Sequence, residues 1–257
     1  MKNSKKIVDL YTNTSQVANA AVDRIVVEII NKHKDEKLGQ TLLLTGCSPV
    51  VGTTSTCISL AIAIANTKRK TLLIDCDVRK AIQYKKLNRE TTVGLADYLL
   101  EESEKGYGVD DIVYETNVED LYYVPCGEYC ENATRILCSA KMMELIDTAK
   151  AQYDCVIFDL PSINIVPDAQ VLFGKVDGVV LVAALGETRK SQIKDAKRKV
   201  APYAKNYYGM IINKVEKDVY RRNIKDYDYY FIDKRGQQKL SGATRKKYKA
   251  LSKKEDK

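Results

Sequence analysis

The chain has 257 residues, a hydrophobic fraction of 45% and a formal net charge of +8. That balance suits one large α/β domain and excludes a wholly disordered chain. No apolar run reaches the ~18–20 residues of a membrane-spanning helix, and no apolar leader segment follows the lysines near Met1, so a cytoplasmic location is expected. The charge is local: Lys234–Lys257 carries ten Lys or Arg against Glu255 and Asp256, and the body before it is neutral.

In chain order, an amphipathic helix is expected over about Thr14–His33. Strands are expected at Leu42–Thr45, Thr71–Ile74, Leu121–Val124, Cys155–Phe158, Gly178–Ala183 and Tyr208–Ile212, with helices at Thr54–Asn66, Ala133–Ala151 and Thr188–Tyr203. Most of the strands are continuous apolar runs, which suit a parallel sheet buried on both faces. Strand and helix in repetition predict a doubly wound, mostly parallel α/β sheet with ligands at the C-terminal strand ends. The expected organisation is a helical lead-in at 1–39, a single sheet domain at 40–215 and a flexible tail at 216–257, rich in tyrosine and then basic. Few aliphatic residues follow Asp233, so the tail lacks material for its own core. Seven cysteines without a C-x-x-C pair, the nearest cluster being Cys126, Cys130 and Cys138, read as reduced, mostly buried thiols.

Three segments carry chemistry. Leu42-Leu-Leu-Thr-Gly-Cys-Ser-Pro-Val-Val-Gly-Thr-Thr-Ser55 is a buried strand, a short loop and the start of an apolar helix. Backbone N–H groups at such a helix start face phosphates, and a Ser or Thr hydroxyl there reaches Mg²⁺. Thr53 stands where the G-x-x-x-x-G-K-[ST] pattern has lysine, with Thr54 in the Mg²⁺ position. Taken alone, the segment fits an ordinary strand-to-helix turn as well. Leu72-Leu-Ile-Asp75-Cys-Asp77-Val-Arg79 then sets two carboxylates and an arginine at a strand end, and Val156-Ile-Phe-Asp159 ends another strand on a carboxylate, in the manner of Walker B. Each could be a solvated strand terminus; the three in this order point to a phosphate site.

These residues resemble the bacterial tyrosine kinases of capsule and exopolysaccharide synthesis. The family's T-S-x-x-P-G-x-G-K-[ST]-T motif compares with Thr45–Ser55, its D-x-D-x-R segment with Asp75, Asp77 and Arg79, and its Walker B aspartate with Asp159. Pro167-Asp168-Ala169-Gln170 and Val176–Val182 resemble the stretch after Walker B, and the C-terminal tyrosines resemble the family's autophosphorylation cluster. The resemblance spans roughly Gln40–Tyr230. It implies a P-loop NTPase-type sheet, ATP or ADP with Mg²⁺, and tyrosine autophosphorylation at Tyr220, Tyr227, Tyr229, Tyr230 or Tyr248. Asp75 would take the proton from a tyrosine hydroxyl; Thr54, Asp77 and Asp159 would hold Mg²⁺. Pro49, Gly52, Thr53, Thr54, Ser55, Arg79 and Asn213 would form the nucleotide site. Asn213 ends the last strand where related proteins contact the base, although a plain strand-end turn is the simpler explanation. The family further implies a separate membrane adaptor of the polysaccharide co-polymerase type and a place at the inner face of the membrane.

Three departures bear on activity. Thr53 replaces the lysine that would span the β- and γ-phosphates, and loss of one preorganised electrostatic donor costs on the order of 10²–10³ in rate. Weakened nucleotide binding is therefore expected. Val50 replaces a glycine, and a β-branched residue tolerates positive φ poorly. The family implies a homo-oligomer, and that is still open to this chain, but the E-x-x-R-x-x-R pattern that goes with the family's rings is absent from Asn19–Glu28. A pseudokinase scaffold of the same export system is the nearest alternative. A partitioning or positioning ATPase is another, but it would show a K-G-G-x-G-K-T type loop. The basic tail suits an anionic membrane surface, and no fold-level reader of nucleic acid is present.

Overall fold

A computed structural model describes residues 7–11, 16–32, 39–79, 93–100, 106–216 and 218–220. Contacts divide the chain into two units, Met1–Thr14 with Ala18–Lys214, and Ser15–Val17 with Val215–Lys257. The expected helix ends at Thr14 and His33, the tyrosines 227, 229, 230 and 248, and the basic run from Lys234 lie outside the described residues.

The first unit is built on one eight-stranded sheet, formed by β1 (Ile7–Val8), β2 (Gln40–Gly46), β3 (Thr71–Asp75), β4 (Tyr114–Thr116), β5 (Leu121–Val124), β6 (Cys155–Leu160), β7 (Gly178–Ala184) and β8 (Tyr207–Asn213). Its order is β1-β4-β5-β3-β6-β2-β7-β8. The six strands from β5 to β8 are parallel, whereas β4 pairs antiparallel with β5 and carries β1 beside it. All six predicted strands are present, most of them a residue or two longer than expected. β1 and β4, two and three residues long, are too short for periodicity to reveal.

Alternation along the strands assigns the two faces. Leu42, Leu44, Leu73, Ile157, Val180 and Val182 form a cluster with α1 (Gln16–Lys32) and α2 (Thr53–Ala65). Their neighbours Leu43, Leu72, Ile74, Val156, Phe158 and Leu181 pack on the other side. That second layer holds α3 (Leu95–Leu99), α4 (Val109–Ile112), α5 (Ala133–Leu137), α6 (Ala140–Gln152), α7 (Asp168–Leu172) and α8 (Lys190–Val200). Helices on both faces of a mostly parallel sheet are the doubly wound architecture expected. Six of the seven cysteines are buried thiols; Cys138 is exposed.

Two predicted helices are corrected. The expected run Ala133–Ala151 is two helices, because Ser139 takes an extended conformation and its hydroxyl accepts from the Met142 amide as the N-cap of α6. The run expected from Thr188 starts at Lys190 and passes at Ala201 into a 3₁₀ turn beside Pro202.

At the N-terminal end of the sheet, Asp177 accepts from the amide and hydroxyl of Thr41, at 2.8 and 2.7 Å, and from Lys150 at 3.2 Å. Burial alone would raise the Asp177 pKa, but the Thr41 and Lys150 bonds outweigh it and leave the carboxyl below its ordinary value. At the outer strand β8, the register with β7 shifts, so that Val179 faces Tyr207 while Val180 faces Gly209. Gly209 has φ 140° there, and the skipped Tyr208 ring lies over Gly178, where a β-carbon would meet it at 2.7 Å.

Between β2 and its neighbours the winding reverses. From β2 the chain crosses by α2 to β3, beyond β6, while β7 lies on the opposite side of β2. This switch point opens a crevice at the C-terminal end of β2.

Candidate functional site

The loop leaving β2 lies at that end of the sheet. Gly46 is required by crowding, since a β-carbon there would lie 2.9 Å from Ser48 O, Thr53 Oγ1 and Val51 Cγ2. Val50 has φ 60° and is 83% exposed, so a β-branched residue does hold the left-handed conformation expected at that position. Gly52, at φ 83°, ends the loop, and α2 begins at Thr53 without a side-chain cap. The first-turn N–H groups of Thr53, Thr54 and Ser55 are therefore a natural seat for an anion. Pro49, Thr54 and Ser55 are exposed; Gly52 and Thr53 are partly buried.

Asp75 ends β3 and pairs in register with Asp159 of β6. Both share strand parity with Leu73 and Ile157, which puts the two carboxylates on the α2 face, the same side as the loop. Asp75, Asp77 and Asp159 are all at most 5% exposed. The Asp77 amide donates to Asp75 Oδ1 at 3.0 Å and the Tyr123 hydroxyl to Asp75 Oδ2 at 3.3 Å. Burial first, then the Asp75 charge, pushes the Tyr123 pKa well above its ordinary value, so it stays a neutral donor. Tyr123 went unread in the sequence because the parity of β5 against β3 is set only by their pairing.

Arg79 makes its hydrogen bonds outside this group. Its Nε and Nη2 clasp the fully buried Asp168 at 2.7 and 3.0 Å, and its Nη2 also reaches Thr134 Oγ1 at 3.0 Å. Thr134 in turn donates to Asp168. The guanidinium thereby fastens the segment after β3 to the starts of α5 and α7, a bidentate pair of the strong kind.

Asn213, at the end of β8, donates from Nδ2 to Val51 O at 2.9 Å. Asn164, unremarked in the sequence, donates from Nδ2 to Cys47 O and to Gln192 O, both at 2.8 Å. Ser48 Oγ and Thr188 Oγ1 are 3.2 Å apart. The Cys47 thiol is pushed up to about 11 by burial, with Lys197 opposing. Lys214 pairs with Glu187 at 2.7 Å, whereas Lys190 is exposed at the first turn of α8. Tyr220 belongs to the second unit, where its amide donates to Glu216 O at 2.9 Å.

The donor set fits a Mg-nucleotide in kind. The loop offers glycines where the backbone must come close, an uncapped helix start for phosphate, and carboxylate and hydroxyl oxygens of the sort Mg²⁺ takes. Among the described residues, no group of three or more His, Cys, Asp or Glu is arranged to hold a metal alone.

Residues 49–184 match the family model described as an AAA domain. The chain is 33% identical over 178 residues to tyrosine-protein kinase CpsD of Streptococcus pneumoniae serotype 4, covering 69% of this chain and 77% of that protein. It is 36% identical over 174 residues to tyrosine-protein kinase YwqD of Bacillus subtilis (strain 168), covering 68% and 72%. The crystal structure of the chimerical protein CapA2B2 superposes with a TM-score of 0.70 at 25% identity, covering 83% of this chain and 96% of that one. With its doubly wound sheet, its loop at the switch point and its paired strand-end aspartates, the chain belongs to the bacterial tyrosine-kinase family of capsule and exopolysaccharide biosynthesis.

Proposed function

We propose that this chain is a tyrosine-kinase-like P-loop protein regulating capsular or exopolysaccharide synthesis or export, with its own phosphoryl transfer slowed by Thr53. The observation that carries the reading is the register pair Asp75–Asp159, set on the α2 face below an uncapped helix start. In this reading the N–H groups of Gly52–Ser55 bind the phosphates. Thr54, Asp77 and Asp159 hold Mg²⁺, which supplies charge neutralisation of the transferring group when bound. Asp75, fixed by Tyr123 and the Asp77 amide, accepts the proton of a tyrosine hydroxyl from the C-terminal cluster. Binding is weakened because no charge stands at Thr53.

A membrane adaptor of the polysaccharide co-polymerase type is the partner, and the chain works at the inner face of the membrane. No helix among the described residues is long and apolar enough to span it. In addition to the basic residues of the tail, α8 supplies Lys190, Lys194 and Lys197, exposed cations without an ion pair among the described residues. Such cations gain about 1 kcal/mol each near an acidic leaflet.

The second reading, a pseudokinase scaffold of the same system, rests on Thr53 standing in place of the loop lysine. One experiment separates the two. Purified protein with Mg-ATP is assayed for phosphotyrosine, beside Asp75→Asn. Signal that disappears with Asp75→Asn establishes the kinase; Mg-ADP binding without signal establishes the scaffold; neither binding nor signal refutes the nucleotide site.

A further inference from the structure

The loop between β2 and α2 has its carbonyls occupied from outside. Ile163 N donates to Gly46 O at 3.1 Å, Asn164 Nδ2 to Cys47 O at 2.8 Å and Asn213 Nδ2 to Val51 O at 2.9 Å. The loop amide of Cys47 donates to Val182 O at 2.7 Å. Donors thus arrive from the segment after β6 and from the last residue of β8, the two strands on either flank of the β2–β7 pair.

The amide orientations are fixed by chemistry. Both neighbours of Asn164 Nδ2 are carbonyl oxygens, so only the NH₂ end fits there. Its Oδ1 is buried with no hydrogen-bond partner. A side chain that leaves an acceptor unmatched in order to place two donors is held by those donors. Asn213 is equally constrained: a β-carbon on Gly52 would lie 2.4 Å from its Nδ2, so the amide sits directly against the left-handed turn that opens α2.

We propose that Asn164 and Asn213 are positioning residues that hold the loop in its phosphate-accepting shape before any ligand arrives. With the carbonyls of Cys47 and Val51 bound in this way, the uncapped N–H groups of Thr53–Ser55 stay available to an anion. The lysine of a standard loop draws in phosphate by charge; here the loop is shaped by two neutral amides and is preorganised without it. Asn164 also joins the loop to α8 through Gln192, and Lys199 Nζ adds a 2.7 Å bond from α8 to Ile163 O. The segment after β6 thus ties the loop to α8.

The inference deepens the nucleotide reading, and its test separates the two. Mg-ADP and Mg-pyrophosphate are titrated by calorimetry against the unaltered chain, Asn164→Ala and Asn213→Ala. Amide exchange of the loop peptide is followed by mass spectrometry without ligand. Loss of one or two such bonds should weaken ADP and pyrophosphate by the same factor, about tenfold. Loop exchange should quicken while the β6 and β7 peptides stay unchanged. Asn164→Ser serves if the alanine variant is unstable. Weakening of ADP but not of pyrophosphate in Asn213→Ala would make Asn213 a base contact and overturn the proposal. Unchanged loop exchange in both variants would overturn it too. If the unaltered chain binds neither ligand, the nucleotide reading fails, and quickened loop exchange in the variants still upholds the loop clamp.

Discussion

Replacing Val50 by glycine should make the protein more stable, against the usual expectation for adding glycine. Val50 sits at φ 60° with 83% of its surface exposed. The left-handed conformation costs an L-residue roughly 1–2 kcal/mol, and β-branching does not lessen that. Glycine takes the same φ without strain but loses more backbone entropy on folding, about 0.5–1 kcal/mol. Because so little of the valine is buried, its removal forfeits little hydrophobic free energy. The balance is a gain of about 0.5–1 kcal/mol, or a rise in Tm of roughly 2 °C for a chain of this size. Gly52→Ala, two residues on, should act in the opposite direction. Its φ is 83° and its new β-carbon would lie 2.4 Å from Asn213 Nδ2. Urea denaturation of both variants, checked by thermal melts, measures the pair. Destabilisation by Val50→Gly would refute the strain assigned to this loop.

Thr53→Lys should tighten Mg-ADP binding at least tenfold by calorimetry, and any autophosphorylation it restores should vanish with Asp75→Asn. Asp177 has a depressed pKa in the fold, so its contribution is present above the unfolded carboxylate value of about 3.9 and is lost as pH falls through the lower folded value. Asp177→Asn should therefore destabilise the protein at pH 7, and the gap in urea midpoints should close at acid pH; a gap independent of pH would count against the Thr41–Lys150 bonds. The Cys47 thiol, pushed up to about 11 by burial, has a thiolate fraction on the order of 10⁻³ at pH 8. Iodoacetamide at pH 8 should label exposed Cys138 and spare Cys47, as peptide mapping will show.

The sheet was readable because its inner strands are unbroken apolar runs. Leu121–Val124 was bounded to the residue, and Asp75 and Asp159 were found as the polar residues that end two such runs. The positive φ of Val50 was readable from its place in the loop motif alone. What escaped depends on distance in sequence. Tyr123 lies 48 residues from Asp75, and Asn164 lies 117 from Cys47, and only pairing brings each together. Their identities are ordinary for a strand and a turn, and no local periodicity marks them. Ser139 is the different case: a serine before Ala140 is a readable N-cap, and the apolar pattern continuing across it concealed the break.

The shifted register at β8 has a bearing on solubility. An outer strand exposes a row of amide and carbonyl groups that another chain's strand can zip onto, and a straight seven-residue edge is a template for growing aggregates. Here the extra residue at Tyr208 and the φ of 140° at Gly209 put a kink in the strand and interrupt that row. A second molecule approaching edge to edge would find matching bonds on one side of the kink only. The same sheet that relies on unbroken pairing at β2 thus ends, among the described residues, in a strand whose regular row is cut back to Gly209–Asn213, a shorter template for a second strand.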